Sequence, residues 1–293
     1  MKRQVLVTGA HGQLGRAFQS LAPKYGDIAL IAADRSLLDI TDEKQVSRFF
    51  DEHNIDYCVN TAAYTAVDKA ETEQSTCRLV NVDAVGFLAK ACAKNNIPLI
   101  HFSTDYVYHG PQNTPLRETD PTSPQGVYAR TKLEGEQLAI QLHPATMIIR
   151  TSWVYAAEGH NFVNTMLRLG RERSELRVVF DQVGTPTFAP DLAAAVLDIL
   201  SRVAGGTLPA SALEGIFHYS NEGVASWYDF ALAVFEFSGI NCRVIPIESA
   251  DYPTPAQRPP YSVLNKSKIK TTFGLQIPHW RESLRKLIMH PSN

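Results

Sequence analysis

The chain has 293 residues, 44% of them hydrophobic and 20% charged, a balance that excludes a disordered polymer and supports an ordinary buried core. Its net charge of −2 carries no long basic run, which excludes a surface built to neutralise nucleic-acid phosphates. No apolar run approaches the ~18 residues a membrane helix needs, and Met1-Lys2-Arg3 leads into a strand rather than an apolar leader, so a cytoplasmic chain is expected.

In chain order, Gln4–Thr8 is a β-branched run suited to a buried parallel strand. It enters Gly9-Ala10-His11-Gly12-Gln13-Leu14-Gly15, with a helix after it. Strand, glycine-rich turn and helix in that order are the setting of a dinucleotide fingerprint. Here the glycines recur every third residue and would let backbone N–H groups approach a pyrophosphate. A second strand, 28–33, ends at Asp34-Arg35. Asp34 lies 19 residues past Gly15, close to the ~20 expected of a carboxylate on the adenosine ribose. Arg35 could instead hold a 2′-phosphate, so the pair leaves NADH against NADPH open. Asp39 and Ile40 follow where an adenine would come, and Thr41 or Asp42 caps a helix over 43–52.

Strand three, 57–60, ends in Thr61-Ala62-Ala63-Tyr64-Thr65, small residues against which a flat ligand can lie. A long helical region to about Lys94 precedes strand four at 98–102. A polar loop, 106–125, crosses to a helix with Ser123 and Pro124 as start signals. Strand five, 146–150, runs into Thr151-Ser152-Trp153. Beyond Tyr155 the pattern predicts helices over 161–172, 191–203 and 226–237, the last capped by Ser226. It also predicts strands at 176–180 and 216–219 and a final helix from Pro278 to about Met289. Cys58, Cys77, Cys92 and Cys242 show no paired spacing and read as buried thiols.

The chemistry concentrates between Ser103 and Lys132. Strand four ends in two hydroxyls, Ser103 and Thr104. Tyr128 and Lys132 sit four apart, on one face of a helix. An ammonium beside a phenol favours the phenolate, and a hydroxyl such as that of Thr104 can hold a carbonyl oxygen against it. These are the parts a carbonyl reduction needs. A Tyr with Lys at +4 is commonly a surface pair, but of the 11 Tyr only Tyr128 has one.

Gly9-x-x-Gly12-x-x-Gly15, Thr104 and Tyr128-x-x-x-Lys132 together resemble the extended short-chain dehydrogenase/reductases. Ala62-Ala63-Tyr64-Thr65-Ala66-Val67-Asp68, Ser103-Thr104-Asp105-Tyr106-Val107-Tyr108, Asp181-Gln182-Val183-Gly184-Thr185-Pro186-Thr187 and Arg258-Pro259-Pro260-Tyr261-Ser262 narrow this to the dTDP-4-dehydrorhamnose reductase family, over nearly the whole chain. The resemblance implies an α/β, Rossmann-type doubly wound parallel sheet with a smaller C-terminal α/β substrate lobe. Residues 1–150 would bind NAD(P), joined by returning segments near 176–220. Residues 151–293 would mainly hold the sugar nucleotide.

It further implies reduction of the C4 ketone of dTDP-4-dehydro-L-rhamnose by NADPH or NADH. Tyr128 would give the proton, Thr104 would bond the C4 oxygen, and Lys132 would lower the Tyr128 pKa and hold the nicotinamide ribose. Gly9, Gly12, Gln13 and Leu14 would face the pyrophosphate, and Asp34, Arg35, Asp39 and Ile40 the adenosine. Ala62, Ala63, Tyr64 and Thr65 would run along the cofactor. Asp105 and Trp153 would meet the sugar nucleotide, and Arg258 its diphosphate, for which a loop salt bridge is the even alternative. A homodimer is compatible with the family. The family's Mg²⁺ site is not expected, because its early glutamate falls near Ala17 and the tail 289–293 has no acid. Two rivals stand beside this reading. One is a nucleotide-sugar epimerase or dehydratase, the latter disfavoured because Tyr106 replaces the glutamate elimination requires. The other is a non-catalytic regulatory subunit of methionine adenosyltransferase type.

Overall fold

The computed structural model describes residues 2–289. Six strands form one parallel sheet: β1 (Arg3–Thr8), β2 (Ile28–Ala33), β3 (Tyr57–Asn60), β4 (Leu99–Thr104), β5 (Thr146–Thr151) and, much later, Gly215–His218. Their spatial order is β2-β1-β3-β4-β5 and then Gly215–His218. The order reverses at β1, whose chain first steps to β2 and then to β3 on its other side. Such a switch point leaves a crevice at the strands' C-terminal ends, and in this chain Gly9 and Thr61 open into it.

Both faces of the sheet are covered, which is why its strands read as nearly continuous apolar runs. One face packs on helices Gln13–Leu21, Ala189–Ala204 and Ser267–Phe273 through Phe18, Leu192, Val196 and Phe273. The other packs on Glu43–Glu52, Ala84–Asn95 and Gly126–Leu142 through Phe49, Leu88 and Ala139. A separate lobe gathers around Phe230, Val234 and Trp280, with strands Glu175–Val179 and Arg243–Ile247 paired in parallel. The strand expected near 176 therefore belongs to that lobe, and the return to the main sheet begins at Ala189. Among the described residues no helix is long and apolar enough to cross a membrane.

One helix start settles an alternative that the sequence left open, and another departs from its expectation. Asp42, not Thr41, caps its helix, accepting from the amides of Lys44 and Gln45 (2.9 and 3.1 Å). The Tyr128 helix begins at Gly126, and its Val127 amide donates to the Glu71 carboxylate (2.7 Å). A side chain 56 residues away thus satisfies the helix start for which Ser123 and Pro124 were read as signals. Ser226 does cap its helix, in a reciprocal box with Asp229. The long helical region before Lys94 is broken. Val67–Ala70 and Gln74–Arg78 lead through a π-turn, Leu79–Asp83, into Ala84–Asn95.

Candidate active site

A cleft of about 780 Å³ runs over the C-terminal ends of β1, β3, β4 and β5, between sheet and lobe. Of the residues singled out from the sequence, all but Tyr64 and Arg258 border it. At its floor the glycine turn is shaped by exclusion. Gly9 has φ +66°, and a Cβ there would lie 2.7 Å from the Ala62 amide nitrogen; one on Gly15 would lie 2.4 Å from the Gly9 carbonyl. Side chains are therefore excluded at these two positions, where the turn lies close on its neighbours. Leu14 and Gln13 follow on the helix, whose N-terminal turn carries no side-chain cap, an arrangement suited to a pyrophosphate.

At the adenosine end the Asp34 carboxylate is held low by its neighbours. The hydroxyl and amide of Ser36 (2.7 and 2.9 Å) and the Leu37 amide (3.0 Å) all donate to one oxygen. The other oxygen lies 3.5 Å from His11, and both residues border the cleft. Arg35 is exposed and pairs with Asp39 (3.0 Å), which also accepts from the Thr41 hydroxyl (2.6 Å). The donor set fits a nicotinamide dinucleotide: a glycine cradle, an ionised carboxylate at a ribose's distance along the chain, and an exposed guanidinium beside it, paired with Asp39.

At the reactive end Thr104, Tyr128 and Lys132 converge. Tyr128 stands edge-on to Tyr106, ring centroids 5.8 Å apart. Burial pushes the Tyr128 phenol well above its usual value, with the Thr104 hydroxyl pulling the other way and the Asp105 carboxylate adding to the rise. Lys132 is not among the groups acting on this phenol. Nζ of Lys132 turns to the Phe102 carbonyl (2.7 Å) and His101 (3.4 Å), and burial brings it down to about 8 against the pull of Glu136. Asp105 is 1% exposed. One of its oxygens accepts from Thr104 (3.1 Å) and the other has no hydrogen-bond partner. Burial pushes its carboxyl up to about 6, against the hydroxyls of Ser262 and Thr104 beside it.

The lobe contributes aromatics. Trp153 adopts a left-handed φ of +48° and stacks on Trp227, centroids 3.5 Å apart and planes within 9°. A Cβ on Gly184 would lie 2.8 Å from the Trp153 ring, and Gln182 accepts from the Trp227 indole N–H (3.2 Å). The Asp181–Thr187 stretch is therefore the bed of this indole pair. Trp227 was not singled out from the sequence, where it looks like any apolar residue of an amphipathic helix.

Two expected residues sit elsewhere. Tyr64 packs toward Cys77 and Val127, and its phenol donates to Glu73 (2.7 Å). Arg258 grips Asp68 with both amino groups (3.1 and 2.8 Å), the salt bridge held as the alternative to a diphosphate contact. Asn81, on the π-turn, was missed. Its side chain bonds both amide and carbonyl of Tyr64 (2.9 and 3.1 Å), which fixes the Ala62–Thr65 edge of the cleft. An extra residue in a helical turn has no sequence signal, although such turns recur at functional sites. All four cysteines are buried and free. Among the described residues no three His, Cys, Asp or Glu gather as a metal site; the 290–293 part of the tail lies outside them.

A glycine turn at the switch point of a parallel sheet, over a cleft that Thr104, Tyr128 and Lys132 also border, is the arrangement of a nicotinamide-dependent oxidoreductase of the short-chain dehydrogenase/reductase class. Residues 2–292 match the model of the RmlD substrate binding domain, and the chain belongs to that family. It is 40% identical to the dTDP-4-dehydrorhamnose reductase of Aggregatibacter actinomycetemcomitans, over 97% of this chain and 98% of that one. The crystal structure of a dTDP-4-dehydrorhamnose reductase from Clostridium acetobutylicum superposes with a TM-score of 0.92 at 39% identity, covering 99% and 100% of the two chains. That of Bacillus anthracis, in complex with NADP, superposes at 0.91 with 35% identity and 99% of both chains.

Proposed function

We propose that the chain reduces the C4 ketone of dTDP-4-dehydro-L-rhamnose to dTDP-L-rhamnose, the last step of dTDP-rhamnose biosynthesis. The observation that carries this reading is the convergence of Thr104, Tyr128 and Lys132 on the cleft that the glycine turn and the Trp153–Trp227 pair also border. The names of the relatives supply the substrate.

Bound nicotinamide, as NADH or NADPH, supplies the hydride. Tyr128 then donates its proton to the C4 oxygen while the Thr104 hydroxyl orients that oxygen. A phenol raised by burial is a reservoir that stays protonated until charge develops on the oxygen beside it. Lys132 lies one turn along the same helix and would support the phenolate left behind, its ammonium moving from the Phe102 carbonyl toward the nicotinamide ribose. The indole pair offers a flat, apolar wall to the sugar nucleotide, and Asp105 has one oxygen free for a sugar hydroxyl. Gly9, Gly12, Gln13 and Leu14 would line the pyrophosphate and Asp34 with Arg35 the adenosine ribose. Ala62, Ala63 and Thr65 would form the adjoining wall.

The test is absorbance at about 340 nm, the nicotinamide band, with dTDP-4-dehydrorhamnose generated in situ and each cofactor in turn. Stoichiometric oxidation yielding dTDP-rhamnose is expected. Cofactor binding without oxidation would instead require another sugar nucleotide or a regulatory role.

A further inference from the structure

Beneath the Tyr128 helix the sheet carries a polar row where its neighbours are apolar. Thr8, Asn60 and His101 are Cα partners across β1, β3 and β4, and each is at most 1% exposed. Their hydrogen bonds can run only one way. The Ala62 amide (3.2 Å) and the Thr8 hydroxyl (2.6 Å) both donate to Oδ1 of Asn60. A flipped amide would set N–H against N–H, so Nδ2 of Asn60 donates to Nδ1 of His101 (3.0 Å). Burial keeps the imidazole neutral. A neutral ring whose Nδ1 accepts carries its one proton on Nε2. That nitrogen lies 3.4 Å from Nζ of Lys132.

We propose that His101 is a positioning residue for Lys132: its Nε2–H, fixed in place by β1 and β3, opposes the ammonium form and so sets the pH at which Lys132 exchanges a proton. An ammonium has three donors and no lone pair, whereas an amine can accept the N–H aimed at it. The remaining groups that face Lys132 are accounted for. Glu136, one turn on, pulls toward the ammonium but is itself gripped by three hydrogen bonds from buried Arg150. Cys77, from Gln74–Arg78, is a thiol whose pKa burial raises. The Tyr128 phenol lies on the same helix, and Asp105, beyond β4, acts on Tyr128. His101 is the group that contributes a fixed donor. This deepens the function proposed above and rests on it.

The test compares His101→Asn and His101→Gln with wild type, each saturated with NADPH. Asn places an amide where Nδ1 was, which keeps a partner for Asn60 and withdraws the donor from Lys132. Gln reaches the Nε2 position and can turn its carbonyl to the ammonium. Lys132→Arg, always charged, identifies which limb of the kcat/KM–pH profile belongs to Lys132, because it abolishes that limb. Both His101 variants should move that limb upward by about one pH unit, a tenfold change in proton affinity. In wild-type protein labelled with ¹⁵N-histidine, His101 should show the Nε2–H tautomer across pH 6–9, a readout that needs no variant to fold. An unmoved limb with NADPH affinity intact, or an Nδ1–H tautomer, overturns the role of His101. A profile that Lys132→Arg leaves unchanged overturns the site assignment itself.

Discussion

Tyr128 and Lys132 are held by groups distant in sequence, the Tyr106 ring and the Phe102 carbonyl, so the consequences of changing one residue can be worked out separately. Tyr128→Phe removes one phenolic oxygen from a ring held edge-on by Tyr106. Turnover should fall by roughly 10²–10⁴-fold, the usual worth of a positioned proton donor, while NADPH affinity measured by fluorescence titration stays near wild type. Near-normal turnover would remove Tyr128 from the chemistry. Asp105 lends itself to a stability measurement. Its folded carboxyl lies at about 6, above the ordinary 3.8 of an aspartate, so the folded state binds more protons between those values. Stability is then lost as pH rises from about 4 to about 6, and the loss is complete above that window. Asp105→Asn should therefore unfold at higher urea than wild type at pH 7.5, by on the order of 2–3 kcal/mol, with the difference fading toward pH 4. A variant less stable than wild type at pH 7.5 would show that burial of this carboxylate is compensated. A group kept at such a cost beside Thr104 fits a site in which stability is given up for binding.

The elements place these residues through a few close approaches. Gly135 lets the Tyr128 helix touch the π-turn, since a Cβ there would sit 2.1 Å from the Asn81 carbonyl. Gly135→Ala should push the two apart, costing about 1–3 kcal/mol in chemical denaturation and weakening NADPH binding through the Asn81–Tyr64 bracket. Unchanged NADPH affinity in that variant would count against the bracket as the support of this edge. The strands, their order of appearance and the glycine turn were legible in the sequence because apolar runs and glycines act locally. The Asp42 and Ser226 caps were legible for the same reason. What escaped depended on contacts between distant segments: Glu71 capping the Tyr128 helix, Asn81 bracing Tyr64, and Trp227 stacked on Trp153. Arg258 shows the converse. Its motif was readable, but its engagement by Asp68, 190 residues away, was not.

For the whole molecule, the domain reading of residues 1–150 plus later segments remains a proposal about units, and the sheet gives it a concrete test. Gly215–His218 pairs with β5 and covers its edge, while Ala189–Ala204 and Ser267–Phe273 cover most of one face beside Gln13–Leu21. A fragment ending at Thr151 would expose that face and leave β5 as an open edge, so it should aggregate or bind a hydrophobic dye on expression, whereas the full chain does not. A soluble, cooperatively unfolding fragment would show that the first five strands suffice. The same arrangement bears on how the chain is made. At roughly 5–20 residues per second, the 63 residues between Thr151 and Gly215 keep a ribosome occupied for several seconds. During that interval a five-stranded sheet emerges with one face covered by Gln13–Leu21 alone and its β5 edge open, so shelter by a holdase, rather than early domain-by-domain folding, should govern the yield of this protein in a cell.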